Sequence, residues 1–164
     1  MRNAFLSYQI FDFIAIFCPF YPTPQKIVAQ KPKTVSSKEE FEVIKTHCMQ
    51  GANMLRRLEN FEDEPLLQTA YDIARWHHER WDGRGYPDGL KGNDIPISAQ
   101  IVSLADVYDA LTSERCYKKA FSHETAMRMI LNGECGAFNP LLLECLTDIQ
   151  AGLQEKSQNI TVNR

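Results

Sequence analysis

Histidine is scarce in this chain, with four among 164 residues and none before His47. The five cysteines, at positions 18, 48, 116, 135 and 145, contain no CxxC pair. An odd count without paired spacing excludes a zinc ribbon or a disulfide framework and reads as reduced thiols of a cytoplasmic protein. There is no basic excess: the net charge is −3, which argues against general affinity for nucleic acid or an anionic membrane surface. No internal repeat, low-complexity tract or sustained two-residue alternation appears, so solenoids and sheet proteins are excluded. No GKS or GKT follows a glycine-rich stretch, so there is no P-loop. The one long apolar run, residues 4–20, carries Asp12 at its middle and Pro19 near its end. It suits a membrane span or signal peptide poorly and is expected to be a helix or apolar arm that packs on something.

What is present is a helical pattern. With 44% hydrophobic residues, the chain can build one domain with a real core. A linker rich in proline, lysine and serine covers 21–37. Ser36 and Ser37 then each begin an S-x-x-E capping box, with Glu39 and Glu40. Phe41, Ile44, Cys48, Ala52, Leu55 and Leu58 follow on one helical face. Glu62-Asp63-Glu64-Pro65 opens a second helix with Leu66, Ala70, Ile73, Ala74 and Trp76 at its apolar positions. Residues 81–96 hold four glycines and two prolines and read as a loop. A third helix is predicted from Ser98 or Ala99 to Ser113, with Ile101, Leu104, Ala105, Tyr108 and Leu111 as its stripe. Ser122 caps a fourth that ends at Asn132-Gly133. Asn139-Pro140 opens a fifth, expected to end by Leu153. The fold class is all-α, a helical bundle.

Several polar residues need more than folding to explain them. His77 and His78 are adjacent and would diverge by about 100° within a helix. At a helix end both can reach one metal, for which neutral imidazole is a good ligand; otherwise one packs or caps and the other is solvated. His47 lies at the edge of its apolar stripe, with Gly51 one turn on. That glycine either leaves room beside His47 or marks close helix packing. Asp106 falls in an apolar helix and needs a partner if buried, either a metal or an arginine such as Arg75 or Arg115. Asp109 shares roughly the same face one turn on, either steadying a metal ligand from behind or serving as a structural acceptor. Three histidines and a carboxylate make a mixed N/O set for a transition metal, able to activate water and polarise a phosphate oxygen. Arg115 and Lys118 can grip phosphate or form an ordinary solvated face. In the loop, Tyr86 and Trp81 offer aromatic faces among glycines that allow close backbone approach.

The string from His77 to Lys118, HHERWDGRGYPDGLKGNDIPISAQIVSLADVYDALTSERCYK, strongly resembles the bacterial HD-GYP domains. Gly85-Tyr86-Pro87 is the GYP itself. The resemblance runs from about Lys31 to Leu146, giving an apolar segment and linker at 1–30, a partial HD-GYP domain at 31–153 and a polar tail at 154–164. It implies an all-α fold of the HD-domain phosphodiesterase type and hydrolysis of cyclic di-GMP to the linear dinucleotide or GMP. It also implies a bi- or trinuclear centre, commonly of iron or manganese. His47, His77, His78 and Asp106 match metal-ligand positions. Arg115 and Lys118 match phosphate-contacting positions, and Tyr86 belongs to the loop beside the substrate. Docking of diguanylate cyclases on the GYP surface is implied as well.

The chain also departs from the family. The His-Asp doublet expected upstream of His47 is missing, as is an early His or Glu and a following lysine. Gln100 stands where Arg is usual, Cys116 where Pro is usual and Asn139 where Asp is usual. The implied centre is therefore weakened, holding one loosely bound ion or none. Three readings follow. The chain is part of a cyclic-di-GMP phosphodiesterase with weak or no activity, a non-catalytic docking module that keeps the GYP loop, or a hydrolase of another phosphorylated nucleotide.

Overall fold

The computed structural model describes residues 38–58, 62–113 and 119–162. The apolar run at 4–20 and both serine capping boxes lie outside them. Within the described residues the chain forms five α-helices, one 3-10 turn and no strand. The helices are α1 (Lys38–Arg56), α2 (Pro65–Trp76), α3 (Ile97–Thr112), α4 (His123–Leu131) and α5 (Pro140–Val162). No helix among these residues is long and apolar enough to cross a membrane.

The chain chemistry explains most helix ends. Pro65 occupies the first turn of α2, where its missing N–H costs nothing. The Ser122 hydroxyl accepts the Thr125 N–H at 3.2 Å, capping α4, and Gly133 leaves that helix at φ 72°. The Asn139 side chain accepts the Leu141 N–H at 3.0 Å at the start of α5. That helix passes the expected end at Leu153 and runs to Val162.

The core lies between α3, α4 and α5, where Leu104, Leu111, Ala126, Met127, Ile130, Phe138 and Leu146 are buried together. The stripe expected for α3 needs correction. Ile101 and Ala105 face outward, and the buried side instead includes Ala99, Gln100, Val102 and Ser103. Gln100 can be buried because both ends of its amide are engaged. It donates to the Ile95 carbonyl at 2.7 Å and accepts from the Asn139 amide at 2.9 Å. In α1 the middle of the predicted stripe is core, with Cys48, Ala52 and Leu55 buried, while its ends, Phe41 and Leu58, are exposed. Gly51 faces Ala74 in the α1–α2 seam; a Cβ built on it would meet the Ala74 Cβ at 3.5 Å. The glycine therefore belongs to helix packing.

Candidate metal centre

Helix α2 ends at Trp76, so His77 is its C-cap residue and His78 lies beyond the helix. That ending resolves the expected divergence of adjacent histidines. The two rings come together, with centroids 4.2 Å apart, and His47 approaches them from α1 at 5.3 and 5.1 Å.

The hydrogen bonds orient these rings. His47 Nδ1 lies 2.6 Å from the Ile44 carbonyl oxygen, and His77 Nδ1 lies 2.8 Å from that of Ile73. A carbonyl can only accept, so each Nδ1 carries a proton, and in the neutral ring Nε2 then presents a lone pair. The two Nε2 atoms stand 3.2 Å apart. Two lone pairs at that distance repel unless a proton or a cation lies between them. Burial, reinforced by the neighbouring histidine, lowers the His77 pKa to about 4, and burial likewise lowers that of His78 to about 2. Near neutral pH both rings are therefore neutral. An oriented set of neutral imidazoles fits a divalent transition ion.

Cys48 completes the cluster. One ligand atom from each of His47, Cys48, His77 and His78 lies within 4.8 Å of all the others. The thiol is fully buried, and burial raises its pKa to about 12, so without a cation it stays protonated, its Sγ 3.5 Å from His47 Nε2. The sequence reading placed Cys48 only in the core stripe. Its position next to His47 was the available signal for a second role.

Asp106 is not a member of that group. It is half-buried on α3, and its charge is felt at Arg80 and Tyr86. Arg75, one of the arginines considered for it, instead forms a two-pronged pair with Asp88, at 2.7 and 3.0 Å. Asp109 accepts the Ser113 hydroxyl at 2.9 Å, a structural role at the end of α3. Arg115 and Lys118 lie outside the described residues.

The GYP loop packs directly on the histidines. Tyr86 stacks on His78, with ring centroids 4.8 Å apart and planes 28° from parallel, and its N–H donates to the His78 carbonyl at 3.3 Å. Glu79, almost fully buried, fastens the loop. Its Oε1 accepts the backbone N–H groups of Asp88 at 2.7 Å and Gly89 at 3.0 Å. Its Oε2 is buried with no hydrogen-bond partner. Arg80 ties the loop to α3 through the Ser103 hydroxyl at 2.7 Å and lies over the Phe138 ring. Trp81 adds a backbone bond to Ala137. Glu79 and Arg80 were overlooked in the sequence, although both stand in the string that carries the resemblance.

Comparison with known proteins identifies the family. A family model described as HD domain matches residues 20–137. A probable cyclic di-GMP phosphodiesterase of Vibrio cholerae is 44% identical over 108 residues, covering 65% of this chain and 24% of that protein. A cyclic di-GMP phosphodiesterase of Thermotoga maritima is 40% identical over 116 residues, covering 71% of this chain and 30% of its own length. A 3'3'-cGAMP-specific phosphodiesterase of Vibrio cholerae is 36% identical over 121 residues, covering 74% of this chain and 22% of its own length. The chain thus spans less than a third of the length of each of these relatives.

Proposed function

The chain belongs to the HD domain family in its HD-GYP form, and from that premise we propose that it is part of a metal-dependent phosphodiesterase acting on cyclic di-GMP. The facing Nε2 atoms of His47 and His77 carry this reading. His47, His77 and His78 would hold a divalent transition metal, iron or manganese, with Asp106 on the neighbouring helix as the carboxylate of the set. Bound there, such an ion supplies Lewis-acid stabilisation of phosphoryl charge and an acidified water. The chain's own residues do the positioning. Tyr86 braces the His78 ring, and Glu79 fixes the loop that carries Tyr86. The two backbone carbonyls hold the His47 and His77 tautomers. Arg115 and Lys118 are proposed to orient the phosphate.

Turnover by this chain alone is proposed to be poor. No histidine precedes His47, so the chain contains no upstream His-Asp doublet. Without a bridging carboxylate a second ion is not preorganised, and several kcal/mol of barrier lowering are lost. A second reading, a docking module for a signalling partner such as a diguanylate cyclase, draws support from the loop. Its internal bonds through Glu79 and Arg80 do not depend on catalysis.

Manganese binding to the 164-residue chain separates these readings when measured beside His77→Ala. The proposal expects binding that the substitution removes, with slow cyclic di-GMP hydrolysis. Equal manganese affinity in both proteins would refute the metal centre. Fast metal-dependent turnover would refute the claim of weak activity.

A further inference from the structure

The sequence assigns Phe41 to the core stripe of α1, yet the structure leaves it 47% exposed. It stands at the edge of the histidine cluster. Its ring meets Tyr86 edge-on, with centroids 6.3 Å apart, and Tyr86 in turn stacks on His78. One helical turn on, the Lys45 ammonium lies 4.9 Å from the Phe41 ring centre and 5.7 Å from that of Tyr86. A lone exposed apolar residue needs no explanation. An exposed aromatic shelf with a cation over it, touching the ring that braces a candidate metal ligand, calls for one.

We infer that Phe41 and Lys45 form a nucleobase-and-phosphate subsite of the proposed centre, Phe41 stacking one purine of a cyclic dinucleotide and Lys45 contacting its phosphodiester. The inference rests on the reading of the histidines as a cyclic dinucleotide site and extends it to residues on α1. A purine presents a flat π face, for which an exposed phenylalanine is a sequence-tolerant partner. A bridging phosphate presents negative charge, and the two rings already hold Lys45 at the place where it is needed. Lys45 now pairs with Glu42 at 2.8 Å. The Glu42 side chain is 68% exposed, so that pair contributes little and yields to a phosphate. The subsite lies on the Tyr86 side of the histidines.

Calorimetric titration of the full chain, loaded with manganese, tests the subsite. The probes are cyclic di-GMP and inorganic phosphate, and the variants are Phe41→Ala, Phe41→Trp, Lys45→Met and His77→Ala. Phe41→Ala is expected to weaken cyclic di-GMP by about tenfold while leaving phosphate and manganese affinities unchanged. Phe41→Trp restores the loss. Lys45→Met weakens both anions. Wild-type affinity of Phe41→Ala for cyclic di-GMP overturns the stacking shelf, even where manganese binding and its loss in His77→Ala uphold the metal centre. A Phe41-dependent affinity indifferent to His77→Ala keeps the subsite and overturns the metal reading. Absence of cyclic di-GMP binding overturns the subsite and the cyclic di-GMP reading together, and manganese binding lost in His77→Ala then upholds the metal centre alone.

Discussion

Gly85 crosses the backbone at Glu79 so closely that a Cβ added to it would stand 2.3 Å from the Glu79 Cα and 2.4 Å from the Arg80 nitrogen. Both neighbours are main chain and have nowhere to go. Gly85→Ala must therefore lift the loop off the residues that follow His78. The expected cost is about 2 kcal/mol or more, with loss of manganese binding as the Tyr86–His78 stack opens. Urea unfolding measures the first and metal titration the second. An alanine variant of wild-type stability and metal affinity would contradict this account of the loop.

Glu79 should be more sensitive to truncation than to amide replacement. Glu79→Ala strands two N–H groups that now share Oε1 and is expected to cost about 2–4 kcal/mol. Glu79→Gln keeps an acceptor for both and puts an NH₂ group where Oε2 has no partner, so its cost should be smaller. Chemical denaturation of the two variants gives the ranking, and equal losses would mean that the carboxylate does not fasten the loop.

Stability should fall on the acid side of neutrality. His77 and His78 have folded pKa values of about 4 and about 2, below their ordinary 6.5. Below 6.5 the unfolded chain takes up protons that the folded chain refuses, so stability is full above 6.5 and declines from there, through His77 to about 4 and through His78 to about 2. Asp88, held low by Arg75, adds a loss only below the ordinary carboxylate value of 3.8. Melting temperature followed from pH 8 to pH 4.5 without metal, in the wild type and in His77→Gln, tests this. The variant should show a shallower slope, and a wild-type melting temperature flat through that range would rule the effect out.

Gln100 and Asn139 stand where the resemblance leads one to expect Arg and Asp, and the structure pairs the two amides at 2.9 Å. The expected charged residues, set at the same two positions, would make an ion pair. Gln100→Arg alone places a charge in a buried position against a neutral partner, and a loss of about 3 kcal/mol is expected. Adding Asn139→Asp should recover much of it. A double-mutant cycle by denaturation measures the coupling, and additive effects would show that the two positions do not act as a pair.

Gly51→Ala should be tolerated. The new Cβ meets Ala74 at ordinary contact distance, and alanine is favoured over glycine by about 1 kcal/mol inside a helix. The expectation is a modest rise in melting temperature with unchanged metal affinity. A drop in either would restore the view that the glycine keeps space for the site.

The helices were legible because their signals are local, and the histidine cluster because the string from His77 to Lys118 carries a family resemblance that reaches back to His47. Ser122, Gly133 and Pro65 mark helix ends by chemistry that needs no tertiary context, and His77-His78 stands next to the loop that packs on it. The α3 face was misread because Gln100 and Ser103 are buried through hydrogen bonds to Asn139 and Arg80, far away in sequence. Periodicity counts apolar residues and does not register polar ones whose partners lie elsewhere. Phe41 fits its helical stripe as well as Ala52 does. Only the approach of Tyr86 distinguishes an aromatic at the site from one in the core. Asp106 shows a further limit: the cluster gathers Cys48 beside the histidines, and spacing alone does not say which carboxylate or thiol comes nearest.

His47 and His77 are 30 residues apart in the chain. An ion shared between them would therefore act as a reversible staple, closing the α1–α2 hairpin as a disulfide closes a loop. Because the unfolded chain has no such preformed site, the binding energy would appear as folding energy of this hairpin. The core among α3, α4 and α5 would not depend on it. Chelation would then loosen one end of the molecule first, and amide exchange would rise in α1 before it rose in α4.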